Sequence, residues 1–275
     1  GLAIGLSVAL PPLLLLLAQQ VRLPWGAPTT WGYVLLCTLA WAALAVRDAR
    51  RERMPLAVDA PSLVLFGIAL AGLLVRLYAV RDVPVGLLGD SYQHTLMAQL
   101  LVDHQGLFQS WQPYAALKTF TYHFGFHANV AFTHYLTGVD VPRSLVLAGQ
   151  VLNALTIPLV FTLLRALGGS RWAGVWAALV VGFVGNMPAF FVNWGRYTQL
   201  AGQLVLMALV VCWVALAQYQ EPKTKNLESH VERRGFRASL RGLPYRLALL
   251  AALVTAGMML THYLVTVLAA LFVLG

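Results

Sequence analysis

The sequence predicts an all-α protein, a polytopic bundle of transmembrane helices. Of its 275 residues, 59% are hydrophobic and only 11% are charged, whereas a soluble globular domain carries about 25% charged residues. The apolar residues form long runs, and a helix that crosses a bilayer needs about 20 such residues. These features exclude an ordinary soluble domain and a disordered chain. The net charge is +9, and the basic residues cluster between the apolar runs. The expected partner is therefore the lipid bilayer and not nucleic acid.

Seven apolar runs are predicted to cross the membrane. They cover residues 2–20, 31–46, 62–80, 145–164, 172–191, 199–217 and 247–274. The first run has no basic leader and no clear cleavage site, so we interpret it as a span and not as a signal peptide. Because the chain starts at Gly1 and its last apolar run is unbroken at Gly275, we expect it to be a fragment of a longer chain.

Charge predicts the orientation of these spans. Two segments rich in arginine and lysine, 47–61 and 218–246, belong on the cytoplasmic side by the positive-inside rule. An even number of crossings must separate them, which requires that an eighth apolar run, 122–138, does not cross. We expect 122–138 to be a re-entrant or interfacial helix within one external segment, 81–144. The chain 1–275 is then a single transmembrane domain with its N-terminus in the cytoplasm. The expected location is the bacterial inner (plasma) membrane, although a eukaryotic endomembrane fits the same pattern.

The external segment opens with a turn that an amphipathic helix follows. Apolar residues recur at helical spacing at Leu96, Met97, Leu100 and Leu101, so we expect residues 91–104 to form a juxtamembrane helix on the membrane surface. Asp90 stands at the start of this helix, four residues before His94. A carboxylate beside an imidazole at an apolar boundary suits a general base acting on a hydroxyl. The alternative, which spacing alone favours, is that Asp90 only caps the helix.

This order of features resembles the GT-C superfamily of integral-membrane glycosyltransferases, which take sugars from polyprenyl-phosphate donors. A span leads to an external loop with an acidic residue, then to an amphipathic helix, an aromatic segment and further spans. The matching stretches are Gly-Asp-Ser-Tyr-Gln-His at 89–94 and Tyr-His-Phe-Gly-Phe-His at 122–127. The likeness covers roughly residues 62–217. Many members of the superfamily have two adjacent acids in the loop, whereas here Ser91 follows Asp90.

The resemblance implies an inverting sugar transfer at the external face. Asp90, with His94 beside it, would deprotonate an acceptor hydroxyl that attacks the anomeric carbon of a polyprenyl-phosphate sugar. The departing phosphate needs cations, and the best-placed external basic residues are Lys118 and Arg196. Both can instead be interfacial anchors, which is the favoured interpretation for Lys118. The other candidate substrate-binding residues are Tyr122, His123, Tyr197 and His262.

Three histidines raise the question of a metal. His123, His127 and His134 lie at positions i, i+4 and i+11, which place them on one face of a continuous helix. Histidines so arranged can ligate a metal ion, so they are candidate ligands for a divalent cation. The alternative is an interfacial helix whose imidazoles face water or lipid headgroups.

Two further functions compete with sugar transfer. The missing second acid and the incomplete ends favour a non-catalytic accessory or assembly subunit, in which a GT-C-like fold serves as a scaffold for partner membrane subunits. His262 inside a span and the interruption at Gly195 suggest a transporter. The spans carry no paired charges and no inverted repeat is visible, which argues against transport.

Overall fold

The computed structural model describes residues 1–50, 59–118, 122–220 and 243–274. Within these ranges the chain is helical and contains no strand. The helices are α1 (Leu2–Gln20), α2 (Ala27–Arg50), α3 (Ala60–Ala79), α4 (Ser91–Asp103), α5 (Gly125–Thr137), α6 (Val141–Ala166), α7 (Arg171–Leu179), α8 (Ala189–Asn193), α9 (Tyr197–Gln220), α10 (Leu243–Thr261) and α11 (Tyr263–Leu274).

Six helical segments of the described chain are long and apolar enough to cross a membrane, which confirms the predicted all-α polytopic bundle. They are Leu2–Gln20, Ala27–Arg47, Ala60–Ala79, Val141–Ala166, Arg171–Asn193 and Tyr197–Gln218. The centre of the bundle is α6, of whose span 61% is buried, and α9, with 44% buried. The α2 span is only 6% buried. Its apolar side chains therefore face outwards, as expected for a helix surrounded by lipid.

The helices of the segment 81–144 pack into the bundle. One face of α4 is buried against α5 and α6, and it consists of Ser91, His94, Met97, Ala98, Leu100 and Leu101. The predicted helix is therefore present, but its apolar face contacts protein. Helix α5 has 13 residues, a length of about 20 Å, too short for a hydrocarbon core of about 30 Å. This length agrees with the prediction that 122–138 does not cross.

Two runs that the sequence predicts as continuous spans are interrupted. Within 172–191, a π-helical turn at Val180–Val184 follows α7, and the chain bends before α8. Pro188 lies at this bend, and its missing N–H cannot continue a helical ladder. Within 247–274, the helix breaks at His262, whose Nδ1 accepts a hydrogen bond from the Val265 N–H at 3.3 Å.

The ends of several helices meet at one end of the bundle, which we call the site end. The segment after α4 is bound to the end of α1, because the Leu107 N–H donates to Gln19 Oε1 at 3.2 Å. The Arg143 guanidinium at the start of α6 donates to the Val80 carbonyl at the end of α3. The end of α1 therefore lies beside the segment after α4, and the end of α3 beside the start of α6. The start of α4 lies there too, because a Cβ atom on Gly86 would be 2.5 Å from Ser91 Cβ and 3.3 Å from Leu145 Cδ2.

The opposite end of the bundle holds the start of α3 and the start of α7. Arg171 Nη2 lies 3.0 Å from Asp59 Oδ1 and donates to Ser62 Oγ at 2.9 Å. The predicted cytoplasmic loops, 47–61 and 218–246, fall mostly outside the described residues.

Candidate functional site

Two glycine turns cross at the site end. Gly89 has φ +59° and Gly195 has φ +72°, in the left-handed region that glycine adopts readily. A Cβ atom on Gly89 would lie 2.4 Å from the Trp194 carbonyl oxygen, and one on Gly195 would lie 2.5 Å from the Leu88 carbonyl oxygen. The two turns therefore touch backbone to backbone. Each glycine directly precedes a charged residue, Asp90 or Arg196.

The crossing of the two turns brings a carboxylate and a guanidinium together. Asp90 Oδ2 lies 3.5 Å from Arg196 Nη1, and the two side chains are 46% and 45% exposed. The Arg196 guanidinium also lies over the Trp194 ring, 4.9 Å from its centre. Asp90 occupies the N-cap position of α4, but its side chain makes no capping hydrogen bond. The interpretation of Asp90 as a simple cap is therefore wrong, and its carboxylate faces Arg196 and solvent.

A buried pair of histidines lies behind Asp90. His94 Nδ1 and His127 Nε2 are 3.0 Å apart and share a hydrogen bond, and the His94 ring also contacts the Gly195 backbone. The two residues are 2% and 0% exposed. Burial lowers the pKa of His94 to about 4 and that of His127 well below its usual value of 6.5. Both rings are thus neutral at pH 7, and His94 holds the Gly195 turn in place from inside the bundle.

The aromatic segment and the break before α11 form another wall of the site. The rings of Tyr122 and His123 are stacked with their centres 3.9 Å apart. The His262 ring lies 4.8 Å from that of His123, and the Tyr263 ring lies 5.1 Å from it. Arg196 interacts electrostatically with Tyr122 and His262. The site therefore combines a half-exposed ion pair with a group of imidazoles and phenols.

The predicted site residues converge with two exceptions. Asp90, His94, Tyr122, His123, Arg196 and His262 lie in one neighbourhood. Tyr197 adjoins them, but it is 3% exposed and stacks on Phe126 at 5.3 Å, so it packs beneath the site. Lys118 is exposed, and no ion pair or hydrogen bond joins it to Asp90 or His94 in the part of the chain that the structure describes.

The three candidate metal ligands do not share one face of a helix. Helix α5 begins at Gly125, so helical spacing does not apply to His123. His134 lies near the far end of α5, where its Nδ1 is 2.7 Å from the Val139 carbonyl oxygen. Among the residues described, no three His, Cys, Asp or Glu side chains are grouped closely enough to hold a metal ion. These residues do not fit the divalent cation that the sequence left open.

One residue that supports the site is not among the predicted site residues. Arg76, inside the α3 span, is 7% exposed. Its guanidinium donates to Asn153 Oδ1 at 2.9 Å and to the Gly182 carbonyl in the π-helical turn at 3.1 Å. Asn153 in turn donates to the Ala189 carbonyl at the start of α8. An arginine within an apolar run was the available signal, since ionisable residues inside a membrane usually have a role.

Comparisons with protein-family models, with curated proteins and with solved structures find no significant match. The function is therefore inferred from the geometry of the site.

Proposed function

We propose that the chain is a membrane glycosyltransferase that moves a sugar from a polyprenyl-phosphate donor to an acceptor hydroxyl at the external face. The observation that carries this proposal is the half-exposed pair of Asp90 and Arg196 on two crossed glycine turns. An exposed ion pair contributes only about 0–1 kcal/mol to stability. A substrate can therefore separate these two groups at little cost, which suits a reactive site better than a structural contact.

The reaction assigns one role to each charged group. The Asp90 carboxylate accepts the proton of the acceptor hydroxyl as its oxygen attacks the anomeric carbon from the face opposite the phosphate. The bond between the anomeric carbon and the phosphate oxygen breaks, its electron pair stays on that oxygen, and the configuration inverts. The Arg196 guanidinium stabilises the negative charge that develops on the phosphate. His94 acts as a positioning residue, since it is buried and contacts the Gly195 backbone.

A groove near the site supports a lipid-linked donor. It has a volume of about 590 Å³, and its lining is mainly apolar, with Val160, Met187, Phe191, Leu200 and Leu206 among the residues that form it. Phe191 and Leu200 lie five and four residues from Arg196 along the chain. A prenyl chain that occupied this groove would bring its phosphate towards the Arg196 guanidinium.

The test is the variant Asp90→Asn, assayed for sugar transfer from polyprenyl-phosphate sugars to candidate acceptors. A general base contributes about 10²–10⁴-fold to a rate, so we expect a loss of that size. Asp103→Asn is the matched control, because Asp103 is an acid at the other end of α4, where it accepts a hydrogen bond from Gln99. Wild-type transfer by a correctly inserted Asp90→Asn protein would refute the proposed mechanism.

One observation favours a second function, a non-catalytic accessory subunit. The Asp90–Arg196 pair joins the two turns, and such a contact can serve assembly without chemistry. This alternative predicts stable co-purification with partner membrane subunits, no transfer by the wild-type chain, and loss of the assembly when the pair is broken by Asp90→Asn. The glycosyltransferase proposal instead predicts that Asp90→Asn leaves any assembly intact and abolishes transfer.

A further inference from the structure

A polar cavity lies between the end of α3 and the start of α6. It has a volume of about 260 Å³ and is lined by Arg81, Asp82, Val83, Pro84, Asp140 and Arg143. The α3 span ends at Ala79 and the α6 span begins at Val141. The cavity therefore lies at the boundary between the hydrocarbon core and water, at the level of the lipid headgroups.

The charged groups of the cavity are a fixed guanidinium and an exposed ion pair. The Arg143 guanidinium donates to three backbone carbonyls in the segment 80–83, so it holds the wall of the cavity. Arg81 Nε lies 3.1 Å from Asp82 Oδ2, and the two side chains are 53% and 81% exposed. The Arg81 guanidinium also lies over the Tyr78 ring, 4.1 Å from its centre. Because an exposed ion pair contributes little to stability, a ligand can separate Arg81 from Asp82 at little cost.

An apolar groove lies one helical turn deeper in the membrane. Leu77 stands four residues before Arg81, which is about one turn of a helix. Leu147 stands four residues after Arg143 in the same way. Both leucines line a groove of about 380 Å³, whose other lining residues include Val8, Phe132, Val151 and Leu155. Val151 is 40% exposed, so the groove opens to the surface that faces lipid. An acyl chain matches such a groove in chemistry and in depth.

The balance of charge in the cavity selects the class of headgroup. Two arginines and two aspartates line it, so its formal charge is zero. An anionic headgroup would bring a negative charge beside Asp82 and Asp140, whereas a zwitterionic headgroup also brings a cation to them. A primary ammonium has three N–H donors, as in lysine, and its hydrogen bonds to carboxylates are strong. A trimethylated ammonium has no N–H to donate. The two aspartates therefore favour ethanolamine over choline.

We propose that this cavity and groove form a binding site for a phospholipid with a phosphoethanolamine headgroup. The Arg81 guanidinium binds the phosphate, Asp82 and Asp140 accept hydrogen bonds from the ammonium, and an acyl chain occupies the groove. Neither Asp90 nor Arg196 lines the cavity or the groove, so the lipid site does not depend on the proposed sugar transfer.

The experiment measures the binding of phospholipids to the delipidated full chain by native mass spectrometry. The lipids share their acyl chains and are phosphatidylethanolamine, its mono- and dimethylated derivatives, phosphatidylcholine and phosphatidylglycerol. Each N-methyl group removes one N–H donor and keeps the positive charge, so the affinity should fall along the series. We expect phosphatidylethanolamine to bind about 10-fold more tightly than phosphatidylcholine, the effect of one hydrogen bond between charged groups. Equal binding of these two lipids, or tighter binding of phosphatidylglycerol, would overturn the proposal.

Two variants separate the contributions of the ammonium and the phosphate. The double variant Asp82→Asn/Asp140→Asn should remove the preference for phosphatidylethanolamine over phosphatidylcholine. Asparagine caps a helix as well as aspartate does, so this variant keeps the capping hydrogen bond at the start of α6. Arg81→Gln should weaken both lipids, which share the phosphate, and leave the ratio of their affinities unchanged. Arg171→Gln is the matched control, because Arg171 is in an exposed pair with Asp59 at the opposite end of the bundle; it should leave both affinities unchanged. A preference that survives the double variant would refute the role of the two carboxylates.

The variant Val151→Trp tests the groove. The larger side chain fills the space of the acyl chain, so it should weaken phosphatidylethanolamine and phosphatidylcholine alike. Val64→Trp is the matched control, because Val64 is 41% exposed in α3 and does not line the groove. Glycerophosphoethanolamine, which has the headgroup without acyl chains, should not compete with the lipid. Wild-type affinity in Val151→Trp, or competition by glycerophosphoethanolamine at the concentration of the lipid, would overturn the proposal, since the headgroup alone would then account for binding.

Discussion

At the residue scale, the contact between the two turns of the site depends on the absence of two side chains. Gly89 and Gly195 both have positive φ, and each lies against a carbonyl of the other turn. His94 contacts the Gly195 backbone from inside the bundle. The Asp90–Arg196 distance is therefore set by backbone packing as much as by the attraction of the two charges.

We predict that Gly195→Ala lowers the melting temperature and sharply reduces function. The substitution costs about 1–2 kcal/mol because φ is positive, and the new methyl group also collides with the Leu88 carbonyl. Gly138→Ala is the matched control, since Gly138 has φ +70° but no atom within 4 Å of an added Cβ. Melting curves in nanodiscs measure both variants. Equal destabilisation by the two substitutions would show that the crossing of the turns contributes nothing.

The buried histidines predict a dependence of stability on pH. Burial lowers the pKa of His94 to about 4 and that of His123 to about 3, from 6.5. The unfolded chain therefore binds more protons than the folded chain below pH 6.5, and stability falls as the pH decreases from about 6.5 to 4. The shift of His94 corresponds to roughly 3 kcal/mol. We predict that His94→Gln flattens this decrease, which melting curves of the wild type and the variant over the same pH range measure.

At the element scale, α3, the π-helical turn and α8 are linked by one buried arginine. Arg76 in α3 donates to Asn153 and to the Gly182 carbonyl, and Asn153 donates to the Ala189 carbonyl. A π-turn leaves carbonyls without their usual helical partners, and within a bilayer such groups must be satisfied by the protein. Arg76 therefore stabilises the bend that leads to Trp194 and Arg196.

We predict that Arg76→Met destabilises the protein by several kcal/mol, because it removes the donor to the buried Asn153 Oδ1 and to the part-buried Gly182 carbonyl. Arg81→Met is the control, as Arg81 is 53% exposed and pairs only with Asp82 among the described acids; it should cost less than about 1 kcal/mol. A cycle with Asn153→Leu tests the link between the two residues. Additive losses in Arg76→Met and Asn153→Leu would show that they act separately.

The existence of the helices was predictable from the sequence, but their breaks were not. Runs of about 20 apolar residues identify spans whatever their internal geometry, so α1, α3, α6 and α9 agree with their predicted ranges. The bend at 185–188 and the break at His262 depend on partners from other helices, such as Arg76 and Gly202. The hydropathy of a segment depends on its own residues and does not report contacts with other helices.

The candidate site was predictable as a set of residues and not as a geometry. Residue type identified Asp90, His94, His123, Arg196 and His262, which do lie together. Spacing along an assumed helix gave a wrong prediction for His123, because α5 starts only at Gly125. His134 does lie in α5, but its Nδ1 bonds the Val139 carbonyl near the far end of that helix. The pairing of His94 with His127, 33 positions apart, required the packing of α4 on α5.

At the scale of the whole molecule, the proposed function requires that the site end faces outwards. The positive-inside rule assigns the arginine-rich segments 47–61 and 218–246 to the cytoplasm. The α6–α7 turn at 167–170 lies at the end of the bundle opposite the site, where Arg171 pairs with Asp59. Opposite ends of a bundle that crosses the membrane are exposed to opposite compartments. Labelling one position at each end therefore determines the orientation of the chain.

We predict that a cysteine at Leu117 is labelled by an impermeant maleimide added to intact cells or sealed vesicles of native orientation, whereas one at Leu167 is labelled only after permeabilisation. The two leucines are similarly exposed, at 54% and 61%, and lie at the site end and the opposite end. Cys37 and Cys212, the free cysteines among the described residues, are first replaced by serine and alanine to remove background labelling.

The reverse labelling pattern would place Asp90 and Arg196 in the cytoplasm and exclude transfer at the external face. Labelling of both leucine positions from one side would refute the arrangement in which α6 crosses the membrane.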